Sequence, residues 1–189
     1  MKFWTFAIAL NASILFFGCS SPFLQKPSAS TPSQTASVPD TSTLQTAVKE
    51  LQMLQTKVES GITPKAYSEL ITQTVPVIQQ ISGEAEAATA AKSAFTGHQL
   101  ALEYWQCSRL EGYEKSLQCR NKALSAIFAK YPDIEAQAKL SVNSKDIATI
   151  STELDEEKVL QAIWEKTSTD TEVAGQSVSR NSSQQETQL

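Results

Sequence analysis

Between Thr41 and Lys166 the apolar residues recur with the period of a helix and not with the alternation of a strand. Leu44, Ala47, Leu51, Leu54 and Val58 follow alternating steps of three and four, which predicts a first helix. A hydroxyl at Thr41, Ser42 or Thr43 can cap it, and Gly61 can end it. Such a stripe could instead be the seam between two molecules. It spans little more than two heptads, so an intramolecular core is the expectation.

A second helix opens at Thr63-Pro64, with Tyr67, Leu70, Ile71, Val75, Ile78 and Ile81 on one face. Pro76 lies inside that pattern and predicts a kink or a split, because it removes a backbone donor. Glu84–Leu110 reads as a long third helix, rich in alanine at first and then carrying Phe95, Leu102 and Trp105. The alanines leave room for a neighbouring helix to come close. Tyr113–Tyr131 gives a fourth helix, stopped by Pro132, and Asp155–Lys166 a fifth. Ile134–Leu140 and Asp146–Ile150 are too short for their period to assign. The expected fold is all-α, a small bundle of about five helices.

The residues before this domain follow a different pattern. Lys2 precedes an apolar run, Phe3–Phe17, that ends at Gly18-Cys19-Ser20-Ser21. Its 15 residues fall short of the ~20 that a spanning helix requires. A basic start, a short apolar core and small residues after it describe an export signal. The end of the run resembles the lipobox of bacterial lipoproteins, in which a Cys after a small residue is acylated and becomes the new N-terminus. Gly18 and Cys19 match it, whereas Phe16 and Phe17 stand where that signal usually carries Leu and a small residue. The resemblance implies a signal peptide over 1–18, lipid on Cys19 and attachment to a membrane of the cell envelope. Ser20 resembles the outer-membrane sorting pattern where two membranes are present. Conventional cleavage that leaves Ser20 first, or an uncleaved anchor, would equally put the rest of the chain outside the cytoplasm.

Composition changes the picture in three ways. With 41% hydrophobic residues and only 7% aromatic ones, the chain can build one modest core but not two domains. Loss of Lys2 with the signal moves the formal charge from −4 to −5, a poor balance for gripping nucleic-acid phosphates. Pro22–Asp40 is rich in Pro, Ser and Thr, so residues 19–40 read as a lipidated flexible tether. As a coil those 19 residues from Pro22 average roughly 24 Å end to end. Thr167–Leu189 shows no apolar period and reads as a disordered, solvated tail, which bounds the helical domain at 41–166.

Two cysteines remain beside Cys19. In an oxidising compartment Cys107 and Cys119 are most simply a disulfide. A bond needs Cα atoms within about 7 Å, whereas 12 residues of unbroken helix would hold them roughly 18 Å apart. The chain must reverse between them, and Gly112 lies where a helical hairpin would turn. Free thiols, a redox pair or a metal site are the alternatives. Redox pairs usually have CxxC spacing, and zinc needs more His and Cys than this chain has.

His98 is the single histidine, with Ser93 and Glu103 near it in sequence but no recognisable nucleophile arrangement. The chain has no Gly-rich phosphate loop, GxSxG or HExxH, so no catalytic, cofactor-binding or metal residue is assigned. Tyr104 and Trp105 could be a recognition patch, although packing around the disulfide is the expectation. Lys115, Arg120 and Lys122 could touch an anionic surface, but Glu111 and Glu114 interrupt them.

The function expected on these grounds is that of a non-catalytic binding or scaffold module, held to a membrane through Cys19 and meeting another envelope protein by a helical face. An envelope enzyme or enzyme inhibitor acting on cell-wall substrates is the alternative. A cleft joining His98 to a carboxylate would favour the enzyme, and a contiguous exposed apolar patch the binder. Cys19→Ala is expected to abolish fatty-acid incorporation and membrane retention, as read by metabolic labelling and cell fractionation. An unlabelled, soluble wild-type protein would overturn the lipoprotein reading.

Overall fold

The computed structural model describes the backbone of residues 41–82 and 85–186 and the side chains of 42–82 and 85–180. The signal, Cys19 and the tether lie outside the described residues. Seven helices follow one another within them: α1 Thr41–Glu59, α2 Pro64–Gln79, α3 Glu86–Cys107, α4 Tyr113–Lys130, α5 Pro132–Val142, α6 Ile147–Glu153 and α7 Glu156–Glu186. There is no strand among the described residues, and none of their helices is long and apolar enough to cross a membrane. The two segments without a clear period become α5 and α6, which raises the helix number from the expected five to seven.

Local chemistry explains most boundaries. Gly61, at φ 84°, takes the left-handed conformation that ends α1. Thr63 Oγ1 then accepts the Ala66 N–H to cap α2, and Pro64 sits at the first helical position. Pro76 lies inside α2, which continues through it as one helix to Gln79. Asp146 caps α6 by accepting the Thr149 N–H at 2.9 Å, and Asp155 caps α7 by accepting the Glu157 N–H at 2.9 Å. Gly112, at φ 95°, turns the chain between α3 and α4. Cys107 and Cys119 form a disulfide across that hairpin, with Cα atoms 5.4 Å apart. Closing this loop contributes about 3 kcal/mol in the chain-entropy account.

The α1 stripe faces inward. Leu44, Ala47, Leu51 and Leu54 are buried, and α1 packs on α2, α3 and α7 of its own chain. On α4, Leu124, Ile127 and Phe128 are buried as the period predicts, and Tyr131 beyond its end joins them. On α3 the heavy face is shifted from expectation. Tyr104 is fully enclosed, while Leu102 and Trp105 are half-buried at the edge of the core.

The main correction concerns Thr167–Leu189, expected to be a solvated tail. Helix α7 runs unbroken past Lys166 to Glu186, antiparallel to α3. The antiparallel register is visible in three pairings. Thr167 lies over Gly97, Asp170 Oδ2 accepts the Ser93 hydroxyl at 2.6 Å, and Ser177 reaches Glu86 at 3.4 Å. The apolar stripe of Leu160 and Ile163 continues at helical spacing as Thr167, Thr171, Ala174 and Val178, all buried. These side chains are small, so a search for bulky apolar residues passes over them. Their burial follows from the α3 surface opposite, where Ala87, Ala91, Ala94 and Gly97 are also buried. The buried hydroxyls are satisfied within the helix. Thr167 donates to the Trp164 carbonyl at 2.8 Å and Thr171 to the Thr167 carbonyl at 2.7 Å.

Removing residues 167–189 would bare this alanine face. The 41–166 fragment is therefore expected to lose cooperative thermal unfolding, followed by circular dichroism at 222 nm. A fragment that melts as sharply and as high as the full domain would show that the second half of α7 adds nothing to the fold.

Candidate functional site

Three helices bring four rings together. Tyr67 comes from the buried face of α2, His98 and Trp105 from two turns of one face of α3, and Trp164 from the first half of α7. The Tyr67 ring lies edge-on to His98 and to Trp164, with centroids 5.9 and 6.2 Å apart, and the two indoles are 5.7 Å apart. Edge-to-face contacts of this kind suit the ring quadrupoles. Each ring stands on an apolar helix face, so the helical period puts all four toward the core.

The polar ends of these rings form a chain of hydrogen bonds. Trp164 Nε1–H donates to the Tyr67 hydroxyl at 3.1 Å. That hydroxyl lies 2.7 Å from His98 Nδ1 and 3.3 Å from the His98 carbonyl. It has one proton to give. When the proton goes to the carbonyl, Nδ1–H donates to the hydroxyl oxygen, and Nε2 is left as a bare acceptor. The opposite tautomer would leave an Nε2–H donor with no protein partner. Buried N–H groups without partners are the rarer and costlier defect, which assigns the proton to Nδ1. In either form Nε2 is buried with no hydrogen-bond partner among the described residues.

Burial governs the electrostatics here. It pulls His98 from its ordinary 6.5 down to about 4, so the ring is neutral at physiological pH. Burial also raises the Tyr67 phenol, outweighing the Trp164 hydrogen bond that favours the phenolate. His98 is 1% exposed. It nevertheless lines the wall of a groove of about 690 Å³ between the C-terminal end of α1 and the first half of α7. Trp164 lines the same groove, and Glu59, Glu157 and Glu165 stand on its exposed rim. Gln55 of α1 ties the two helices by donating to Ser168 of α7 at 2.6 Å, and it also donates to Glu59 of its own helix at 3.0 Å.

The structure separates residues that the sequence set side by side. Ser93 does not meet His98. Its hydroxyl links Lys130, 2.8 Å away, to Asp170 in a structural bridge between α3, α4 and α7. Glu103 is exposed. Arg120 is withdrawn from the basic patch proposed with Lys115 and Lys122. It donates to the Tyr104 hydroxyl and to the Leu154 carbonyl, each at 3.0 Å, and its guanidinium covers the Tyr104 ring. Trp105 belongs to the ring cluster and the core edge rather than to a free recognition patch. The partnership of Tyr67, His98 and Trp164 was not found from sequence. The only signal for it is that these rings carry polar groups on otherwise apolar faces.

A neutral buried His98 makes stability depend on pH. The unfolded chain takes up a proton near 6.5 and the folded chain near 4. Stability is therefore fully present above the first value and falls as the pH drops toward the second. Urea unfolding at about pH 7.5 and about pH 5 is expected to differ by about 2 kcal/mol from this group. His98→Gln should remove that difference, and a difference unchanged in the variant would show that His98 is not its source.

Comparisons with protein-family models, with curated proteins and with solved structures return no match to this chain.

Proposed function

We propose that this chain is an exported lipoprotein, held to a membrane of the bacterial cell envelope by lipid on Cys19, whose helical domain is a non-catalytic binding module. The observation that carries the binding reading is the preformed groove between α1 and α7, which Trp164, His98 and three glutamates line. Its volume falls in the range of small-ligand sites, and it combines an aromatic surface with a few convergent polar groups. Among the described residues the large apolar side chains that are exposed, Met53, Leu110, Tyr113 and Leu140, are spread over α1, the hairpin tip and α5. The groove is therefore a better recognition surface than an apolar helix face, which revises how the partner is expected to be met. A tether of the expected length would raise the effective concentration of a partner on the same membrane, so a weak contact could suffice.

The second reading, an enzyme, has one observation in its favour, since the groove does join His98 to carboxylates. Against it stands the state of that histidine. A general base works best with a pKa near the operating pH, and burial holds His98 at about 4. The ring also has Nδ1 engaged with Tyr67 and is enclosed by its neighbours.

A photo-crosslinking residue in place of Gln161, on the groove wall, is expected to trap one discrete envelope component in intact cells. The same residue in place of Ser125, on the exposed side of α4, should not trap it. No adduct from Gln161, or the same adducts from both positions, would overturn the binding reading. Chemical conversion of the trapped component by the wild-type protein but not by His98→Gln would establish the enzyme instead.

A further inference from the structure

We propose that His98 is an acid-sensitive latch: a second proton on its ring releases α2 from α3 and α7, while those two helices stay packed on each other. The proposal goes beyond the binding reading and does not depend on it.

The first argument is how α2 is held. It lies against α1 and α3, with Tyr67, Ile71, Thr74 and Ile78 buried. Among the described residues, its side-chain hydrogen bonds to other helices all pass through the Tyr67 hydroxyl. Thr72 and Thr74 donate only to carbonyls of α2 itself. Helix α7, by contrast, is 31 residues long and is bonded to α3 at Ser93–Asp170 and again at Ser177–Glu86. Of the two helices that close over the His98 ring, α2 is the more weakly held. Local opening takes the weaker element first.

The seat of the ring supplies the second argument. With Nδ1–H donating to Tyr67, an incoming proton adds to Nε2, which is buried with no hydrogen-bond partner among the described residues. No carboxylate hydrogen-bonds to the ring there. The neighbours of α3 bring Glu59 from α1, Tyr67 from α2, and Glu157 and Glu165 from α7, and all three glutamates are exposed to water. From the α4 side come Tyr131, which burial keeps neutral, and Lys130, which donates to Ser93 beside Asp170. An imidazolium closed in this seat is dry and unpaired, and burial of a charge in that state is costly. Departure of α2 relieves it, because the Tyr67 hydroxyl that covers the Nδ1 edge is replaced by water. Trp164 loses its acceptor in the same step, but its side chain is half-buried and its N–H can take a water instead.

Hydrogen exchange of the mature chain, resolved by helix and corrected for intrinsic rates, tests the latch at about pH 7.5 and about pH 5. An open ring takes up a proton near 6.5 and the closed ring near 4, so the open population rises roughly thirtyfold between those conditions. The α2 amides should be less protected than those of α3 at both values and should lose protection by that factor on acidification. His98→Gln should abolish the loss. Tyr67→Phe keeps the ring but removes the tie, so it should lower α2 protection already at about pH 7.5. That variant and the wild-type comparison decide the matter if His98→Gln does not fold. Equal protection of α2 and α3 would show one cooperative unfolding with no latch and would overturn the proposal. So would α2 protection that is unchanged by acid, or a loss as large in His98→Gln as in the wild type.

Discussion

The close approach of α7 to the small-residue face of α3 is the constraint on which the other features depend. Gly97 shows how close the approach is, since a Cβ there would collide with the Tyr131 hydroxyl and the Thr167 methyl. Around it the buried alanines of α3 meet Thr167, Thr171 and Ala174 of α7. Small residues on both sides give little apolar area each, but they let two helix backbones pack closely along several turns. Dispersion and burial then add up over length rather than over bulk. This suits a chain that is poor in aromatic residues.

That approach also positions the ring cluster. Once α7 is laid antiparallel on α3, Trp164 meets Trp105 and the Tyr67 hydroxyl, one turn before the Gly97–Thr167 contact. Tyr67 then links α2 to both through a single oxygen. Aromatic residues are few, and three of them, Tyr67, Trp105 and Trp164, are gathered where three helices join. At the C-terminal end of α3, beside Trp105, the disulfide and the Arg120 contacts to Tyr104 and Leu154 fix α4 and the segment that leads into α7. The groove is bounded by α1 and α7, so its shape follows from the same packing. His98 belongs to both regions. One nitrogen completes the core network, and the other is left without a partner.

The functional reading draws its two halves from different levels of description. Export and lipidation rest on Gly18-Cys19 at the end of a short apolar run, which is a local pattern read by processing enzymes and requires no fold. Recognition rests on a site assembled from α1, α3 and α7, residues far apart in sequence. A tethered module with a modest acidic groove is consistent with weak, repeated contacts near a membrane, where effective concentration supplements affinity.

The sequence by itself determined the all-helical class, the first four helices to within a few residues and the reversal at Gly112. These features are local, since period, capping and the reach of a disulfide each involve residues within a few turns of one another. The same local reasoning placed Leu51, Leu54, Leu124 and Phe128 in the core. It failed at the second half of α7, because Thr167, Thr171 and Ser177 are polar by composition. They are buried only because alanines and a glycine lie opposite them, and no local pattern carries that information. It left α5 and α6 unassigned for a related reason, since a helix of 11 or 7 residues is held by its neighbours more than by its own period. The candidate site was hidden more completely. His98, Tyr67 and Trp164 each read as members of apolar faces, and only packing three helices together puts one hydroxyl within hydrogen-bonding distance of both other rings. Which of the many glutamates face a groove, and which face open water, is likewise decided by the crossing of α1 and α7. Tertiary structure alone sets that crossing.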